Sequence, residues 1–193
     1  MKSTTKMILI ASVALSTALP ELASAQSVAW SEIVDGIQAR LWVSKSGRTF
    51  NETEMTDVYL ELRNVSGGLN PVEIYYDTLG SIWSCEVVDS EGHPILGTGD
   101  PAFSMANIWR PNPFWLTLPR GGLLQFIVSI SGHGVPKRGG VMVEMPCGIW
   151  GFKSDGQSPF LQATMKMVPR QEAGGRRAWH GTLSLPPAPI PIE

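Results

Sequence analysis

What this chain lacks limits the chemistry expected of it. It has only two cysteines and three histidines in 193 residues. No histidine lies within four residues of another histidine or of a cysteine, so the H-E-x-x-H and paired C-x-x-C metal motifs are absent. The sequence also contains no G-x-S-x-G nucleophile elbow and no P-loop. We therefore expect a protein that is not an enzyme and that carries neither a metal nor a cofactor.

Basic residues are neither abundant nor clustered. The chain has 15 basic and 17 acidic residues, with a net charge of −2. Proteins that bind nucleic acids need grouped lysines and arginines to neutralise phosphates. The only compact basic group, Arg170 with Arg176 and Arg177, is typical of a solvated loop. We expect no nucleic-acid partner.

The first 25 residues have the organisation of a secretory signal peptide. Lys2 and Lys6 precede an apolar run that ends at Pro20, and Ala23-Ser24-Ala25 forms an A-x-A cleavage site. The apolar run is about a dozen residues long, shorter than the roughly 20 that a membrane helix needs. The pattern predicts cleavage of residues 1–25, no membrane span, and export to the periplasm or the medium.

The 168 residues that remain after cleavage, 26–193, fit one domain with a substantial core. We place this domain at residues 26–185. The last eight residues, 186–193, include four prolines and should be extended in polyproline II geometry. They could form a free tail, a linker, or a segment along the domain with Ile190 and Ile192 tucked in.

Apolar and polar residues alternate with a period of two through most of the mature chain, whereas helical periodicity is nearly absent. Such alternation is typical of half-buried strands, and glycine-containing turns separate the runs. These runs predict an all-β fold: a two-sheet antiparallel β-sandwich of about eight strands, with a closed barrel as the alternative. The predicted strands lie at residues 37–44, 57–64, 72–76, 83–88, 124–130, 141–145, 161–167 and 179–185.

The stretch 97–119 differs from its surroundings because it is both proline-rich and aromatic. Its four prolines prevent a central strand from running through it. It either covers an open end of the sandwich or presents a binding surface. Rigid prolines and aromatic anchors suit a contact loop. Under the second reading the binding residues are Trp109, Arg110, Phe114 and Trp115.

Cys85 and Cys147 are 62 positions apart. Export would permit a disulfide between them. The alternative is one buried thiol and one loop thiol, because two cysteines in a chain of this length do not form a disulfide framework. Cys147 lies in a Pro-Cys-Gly sequence that predicts a turn.

The order of motifs between Ile37 and Ile130 resembles that of known β-sandwich modules. A strand ends in Asn64-Val65-Ser66, an aromatic strand leads into the turn Ser90-Glu91-Gly92-His93-Pro94, and Leu118-Pro119-Arg120-Gly121-Gly122 precedes a further strand. This layout resembles the immunoglobulin-like (Ig-like) modules of bacterial exported proteins and is similar to the intracellular proteinase inhibitor family. The resemblance implies an Ig-like fold and, in its specific form, inhibition of a proteinase.

Three functions remain open at this point. The first is an exported, non-enzymatic binding module for a protein or a component of the cell envelope, with a proteinase inhibitor as its specific version. The second is a structural or accessory envelope domain without a free ligand, which would assemble through a sheet edge. The third is a hydrolase whose residues come from separate loops, with His133 and His180 as candidates.

Overall fold

A computed structural model describes residues 28–50, 52–68, 71–76, 81–96, 114–128, 140–152, 158–169, 175 and 177–192. Within these ranges the chain is all-β and contains no helix. None of this part therefore forms a helix long and apolar enough to cross a membrane. The strands are β1 Ile37–Phe50, β2 Thr53–Asn64, β3 Val72–Tyr76, β4 Ser81–Val88, β5 Pro94–Ile95, β6 Phe114–Leu118, β7 Leu123–Ile127, β8 Val141–Met145, β9 Gly148–Phe152, β10 Phe160–Met167 and β11 Gly181–Pro189.

These strands form three sheets. The first sheet has the order β1-β2-β8-β9, and β7 also pairs with β2. The second sheet has the order β11-β10-β4-β5, and the third is the pair β3-β6. All pairs are antiparallel except β2 with β8, which is parallel. The signal-peptide prediction for residues 1–25 lies outside the described residues.

One hydrophobic core joins the three sheets. The predicted alternation is confirmed in β1 and β2: Ile37, Ala39, Leu41, Val58, Leu60 and Leu62 are fully buried, and the residues between them face outward. The same holds in β10, where Leu161, Ala163, Met165 and Met167 are buried. Apolar burial of this kind contributes about 25 cal/mol per Å² of surface removed from water, so the period-two pattern fixes which side of each strand faces the core.

The all-β class is confirmed, and the described residues contain more strands than the sequence predicted. In this part of the chain the strands form three sheets, and β5, β6 and β9 add to the eight predicted strands. Strand β9 could not be recognised from alternation because four of its five residues are buried. Strand β6 lies within the proline-rich stretch, but its only strand partner in the described chain is β3. Prolines are compatible with the ends of such an edge strand.

The C-terminal residues continue a strand instead of beginning a separate tail at residue 186. Strand β11 runs to Pro189, with Leu161 opposite Ala188 and Ala163 opposite Leu185. The register shift between these pairs places Pro186 and Pro187 in a bulge, and β11 is an edge strand. Both features tolerate the missing N–H of proline. Ile190 is buried and Ile192 packs on the core, as in the third of the predicted alternatives.

A disulfide and a tryptophan connect the sheets. Cys85 of β4 is bonded to Cys147, which lies in the two-residue turn between β8 and β9, and their Cα atoms are 5.7 Å apart. This distance is within the normal range for a disulfide. At the other side, the Trp179 backbone N–H donates to the Glu73 carbonyl (2.6 Å), and its indole N–H donates to the Val34 carbonyl (3.2 Å). The start of β11 is therefore tied to the first and third sheets.

Asn64 fixes the point where β2, β6 and β7 meet. Its side chain is fully buried. The amide nitrogen donates to the Leu118 carbonyl at 3.0 Å, and the amide oxygen accepts from the Ser66 N–H at 3.0 Å and the Ser66 hydroxyl at 2.6 Å. The Asn-x-Ser sequence is therefore a structural junction that orients β7 beside β2.

Candidate functional site

The most distinctive surface of the described chain is the outward face of β1, β2 and β7, which we call the outer face of the first sheet. The pairing registers align its side chains in three rows across the strands. Side chains at directly opposite positions of neighbouring strands lie close enough to interact. The rows are Gln38–Arg63–Leu123, Arg40–Glu61–Gln125 and Trp42–Tyr59–Ile127.

An aromatic pair forms the third row. The rings of Trp42 and Tyr59 are stacked, with centroids 4.1 Å apart and planes 7° from parallel. The Trp42 indole N–H donates to Glu61 Oε1 at 3.2 Å. Both ring systems lie on the side of the sheet away from the core, and both are partly buried. The stacking and the hydrogen bond hold the two rings in one orientation, with part of their surface exposed to solvent.

Glu61 holds the centre of the face together. Its carboxylate accepts from Arg40 Nε at 2.6 Å and from the Trp42 indole. The residue is 6% exposed, so the ion pair is shielded from solvent. Charge-assisted hydrogen bonds of this kind are stronger than neutral ones. Arg40 and Trp42 are therefore fixed relative to each other by one carboxylate.

Trp30 closes the face at its other end. The guanidinium carbons of Arg40 and Arg63 lie 4.6 and 4.0 Å from the centroid of the Trp30 ring. At such distances the ring attracts the cations through its quadrupole. Arg63 also donates from Nε and Nη2 to Gln38 Oε1 at 3.0 and 2.7 Å. No carboxylate of the described residues lies within ion-pair distance of Arg63, so its positive charge is available to a partner.

A tight turn brings Trp30 to this position. Asp35 and Gly36 both have positive φ (46° and 80°), and Val34 bridges to Ile37. A Cβ on Gly36 would lie 2.6 Å from the Cβ of Ser66, so this position requires glycine. The turn sends the preceding residues back along β1. There the Ser31 N–H donates to the Ala39 carbonyl, and the Ser31 hydroxyl accepts from the Ala39 N–H.

The outer face of the first sheet carries residue types that are common at the centres of protein interfaces. It combines stacked aromatic rings, two arginines held by cation–π contacts, and the aliphatic side chains of Leu123 and Ile127, which are 57% and 52% exposed. Tryptophan, tyrosine and arginine are the residue types enriched at the centres of protein interfaces. Within the described residues, no group of three or more His, Cys, Asp and Glu side chains could hold a metal ion.

Two of the binding residues expected from the sequence, Phe114 and Trp115, lie on β6 of the third sheet and not on β1, β2 or β7. Trp109 and Arg110 lie outside the described residues, as does His133. Phe114 is the first residue of β6, and Trp115 lies within the same strand, with its ring 5.1 Å from that of Tyr75. The part of the expected contact loop that the structure describes is therefore strand. His180 is exposed just before β11.

Part of the outer face of the first sheet could be predicted from the sequence. The alternation placed Trp42 and Tyr59 opposite the core-facing residues, and an aromatic residue on the solvent side of a strand is a candidate contact. Nothing local indicated that the two residues would be neighbours. Their pairing depends on the register of β1 with β2, and the position of Trp30 depends on the Asp35-Gly36 turn.

The second sheet carries a different outer face. An open groove of about 290 Å³ lies over β4, β10 and β11. Its lining is mainly polar and includes Ser84, Glu86, Gln162, Thr164 and Ser184. At the nearby β4–β5 turn, the backbone N–H groups of His93 and Glu91 donate to the Asp89 carboxylate. These bonds, with the His93 bond first, hold the pKa of Asp89 below its usual value.

Comparison of the chain with models of protein families, with curated proteins and with solved structures found no match.

Proposed function

We propose that this protein is an exported, non-enzymatic β-sandwich module that binds a protein or a component of the cell envelope through the outer face of its first sheet. The observation that carries the proposal is the fixed array of Trp30, Arg40, Trp42, Tyr59 and Arg63 on a solvent-facing surface.

The array is held in place before any partner arrives. Ordering long side chains at an interface costs about 0.5–1.5 kcal/mol for each one. Here Glu61 already fixes Arg40 and Trp42, and Gln38 with Trp30 already fixes Arg63. Much of this cost is therefore met within the fold, which favours binding of a partner with complementary aromatic and acidic groups.

The finer architecture that we propose is an Ig-like sandwich made of the first and second sheets, with β3 and β6 as an accessory pair. The contact of β1 with β11, the contact of β4 with β9 and the Cys85–Cys147 bond across the two sheets support this arrangement. Proteinase inhibition is the specific version of the binding proposal, and it rests on the resemblance of the motif order alone.

A capture experiment with matched variants tests the binding surface. The bait is the exported chain, residues 26–193, incubated with envelope and secreted fractions. The Trp42→Ala/Tyr59→Ala variant removes the stacked pair, and Trp109→Ala/Trp115→Ala removes both tryptophans of the stretch that the sequence favoured. Gln162→Ala on the outer face of the second sheet is the control. We expect partner recovery to be lost with the first variant and kept with the other two.

Each result has a distinct meaning when circular dichroism shows that the bait is folded. Loss of the partner with Trp109→Ala/Trp115→Ala alone would return the binding site to the 97–119 stretch. Equal recovery with all variants, or no specific recovery with the wild type, would contradict a binding role for the outer face. If the captured partner is a protease, a steady-state inhibition assay decides the inhibitor version.

A further inference from the structure

On the side of β7 that faces away from β2, the backbone N–H and C=O groups have no strand partner among the described residues. The Val128 N–H donates to the Val58 carbonyl at 2.8 Å, and the Asn64 N–H donates to the Gly122 carbonyl at 3.1 Å. In the same register, the even-numbered residues of β7 bond to β2. Because an antiparallel strand alternates its bonding direction, the N–H and C=O groups of Leu123, Gln125 and Ile127 point away from β2.

Nothing in the described part of the chain pairs with these groups. No backbone or side-chain hydrogen bond reaches the outer edge of β7, and no second strand lies beside it among the described residues. The edge also carries no lysine, proline or bulge, the features by which natural edge strands discourage pairing. Leu123 and Ile127 are 57% and 52% exposed on the same face. The edge therefore presents both backbone groups and apolar side chains to a further strand.

The sequence of β7, Leu-Leu-Gln-Phe-Ile, is symmetric in pattern about Gln125. An antiparallel copy centred on this residue places Leu123 opposite the Ile127 of the second copy, and Gln125 opposite its counterpart. Leu124 and Phe126, which face the core side, are likewise opposite each other. All the pairs that this register makes are apolar with apolar or amide with amide.

We propose that β7 pairs with β7 of a second copy of this chain around a two-fold axis at Gln125. This register uses every outward backbone group of Leu123, Gln125 and Ile127, because these three residues then form the hydrogen-bonded pairs of the new ladder. It also covers the exposed Leu123 and Ile127 side chains with each other. An isologous contact of this type closes on itself and gives a dimer.

The symmetric pattern is what favours a second copy over a strand from another protein. A foreign strand needs apolar side chains on one face, but it imposes no symmetry about Gln125. The dimer would join two first sheets into one continuous sheet, with the Trp42–Tyr59 pairs of both copies on the same outer face. The inference stands on the edge of β7 and does not depend on what the outer face binds.

Charge variants at Gln125 test this register. Gln125 is exposed, so Gln125→Lys and Gln125→Glu can each be made without disturbing the core. In the proposed dimer each change places like charges opposite each other, which is destabilising. We expect analytical ultracentrifugation of the wild type to show a dimer, and each variant alone to dissociate with a Kd raised about fivefold. An equimolar mixture of the two variants should restore the dimer.

A backbone variant and a surface control complete the test. Gln125→Pro removes an N–H that points away from β2, and edge strands tolerate proline at such positions, so the fold should persist while the dimer is lost. Ile82→Lys places a new charge on the outer side of the second sheet, where Ile82 is 55% exposed, and should leave the dimer intact. A wild type that stays monomeric from micromolar to millimolar concentration overturns the proposal. The proposal is also overturned if the dimer survives Gln125→Pro, or if the mixture of Gln125→Lys and Gln125→Glu fails to restore association.

Discussion

The first and second sheets are alike on their inner sides, where alternating residues are buried, and differ in the side chains that they carry on their outer sides. Both contribute alternating buried residues to one core. Outside, the first sheet carries stacked aromatic rings and arginines, whereas the second carries a row of small hydroxyl residues, Ser84, Thr164 and Ser184. The core therefore accounts for the fold, and the difference between the outer faces is the reason why we propose the first sheet as the binding surface.

The edge strands β11 of the second sheet and β7 of the first sheet also differ from each other. Strand β11 ends the second sheet with Pro186, Pro187 and Pro189 and a bulge, all of which hinder further pairing. Strand β7 has a regular register with β2 and exposed aliphatic side chains. Among the described residues, the outer edge of β11 carries features that hinder strand pairing and the outer edge of β7 does not, which agrees with the proposed pairing through β7.

The largest expected effect comes from removing the link between the two sheets. Replacing both cysteines in Cys85→Ala/Cys147→Ala should lower the free energy of unfolding by about 4 kcal/mol, since the bond closes a long loop in the unfolded chain. Urea unfolding followed by tryptophan fluorescence measures this loss. The wild type under reducing conditions is the control and should match the variant. Unchanged stability would mean that the two sheets do not depend on this connection.

A smaller loss of folding stability is expected when the Asn64 junction, which orients β7 in the first sheet, is disrupted. Asn64→Ala leaves the Leu118 carbonyl and the Ser66 N–H without their buried partner, which should cost about 2 kcal/mol. Ser66→Ala removes only the hydroxyl contact and should cost less. Thermal unfolding of both variants gives the comparison. An Asn64→Ala variant as stable as the wild type would show that the junction is held by its backbone bonds alone.

The two outer faces can be compared directly by double-mutant cycles. Trp42 with Tyr59 should show a coupling free energy of about 1 kcal/mol, because their rings are stacked. Ser84 with Thr164, which are directly opposite on the second sheet, should show about 0.3 kcal/mol. Both cycles use alanine variants and urea unfolding. Equal couplings would remove the energetic distinction between the faces.

The smallest effect concerns pH and the β4–β5 turn of the second sheet. Hydrogen bonds from the backbone of His93 and Glu91 lower the pKa of Asp89 in the folded state. The resulting stabilisation is present above the unfolded pKa and is lost as the pH falls through the folded pKa. A carbon-detected NMR titration should therefore place the Asp89 midpoint below that of an unfolded aspartate. Asp89→Asn should remove this part of the pH dependence, and a midpoint at the ordinary value would contradict the turn geometry.

Much of the fold could be read from the sequence, but little of the site could. Each of the eight runs with expected strand character overlaps a strand of the described residues, although the run 124–130 extends beyond the end of β7 and the run 179–185 begins two residues before β11. The runs that escaped notice were β5, which has two residues, β6, which follows a proline, and β9, which is buried on both sides. The proline-rich stretch drew attention to Trp109 through Trp115, whereas the fixed array that the structure describes is built from Trp30, Trp42 and Tyr59.

The sequence by itself determined the all-β class and the inward side of the alternating strands such as β1, β2 and β10, because burial of alternating apolar residues is decided within a few neighbouring positions. Only the tertiary structure decided which outward residues became neighbours. The stacking of Trp42 on Tyr59, the position of Trp30 over two arginines and the bond between Cys85 and Cys147 all join residues distant in the chain. Such contacts depend on strand register and sheet packing, which local pattern does not encode.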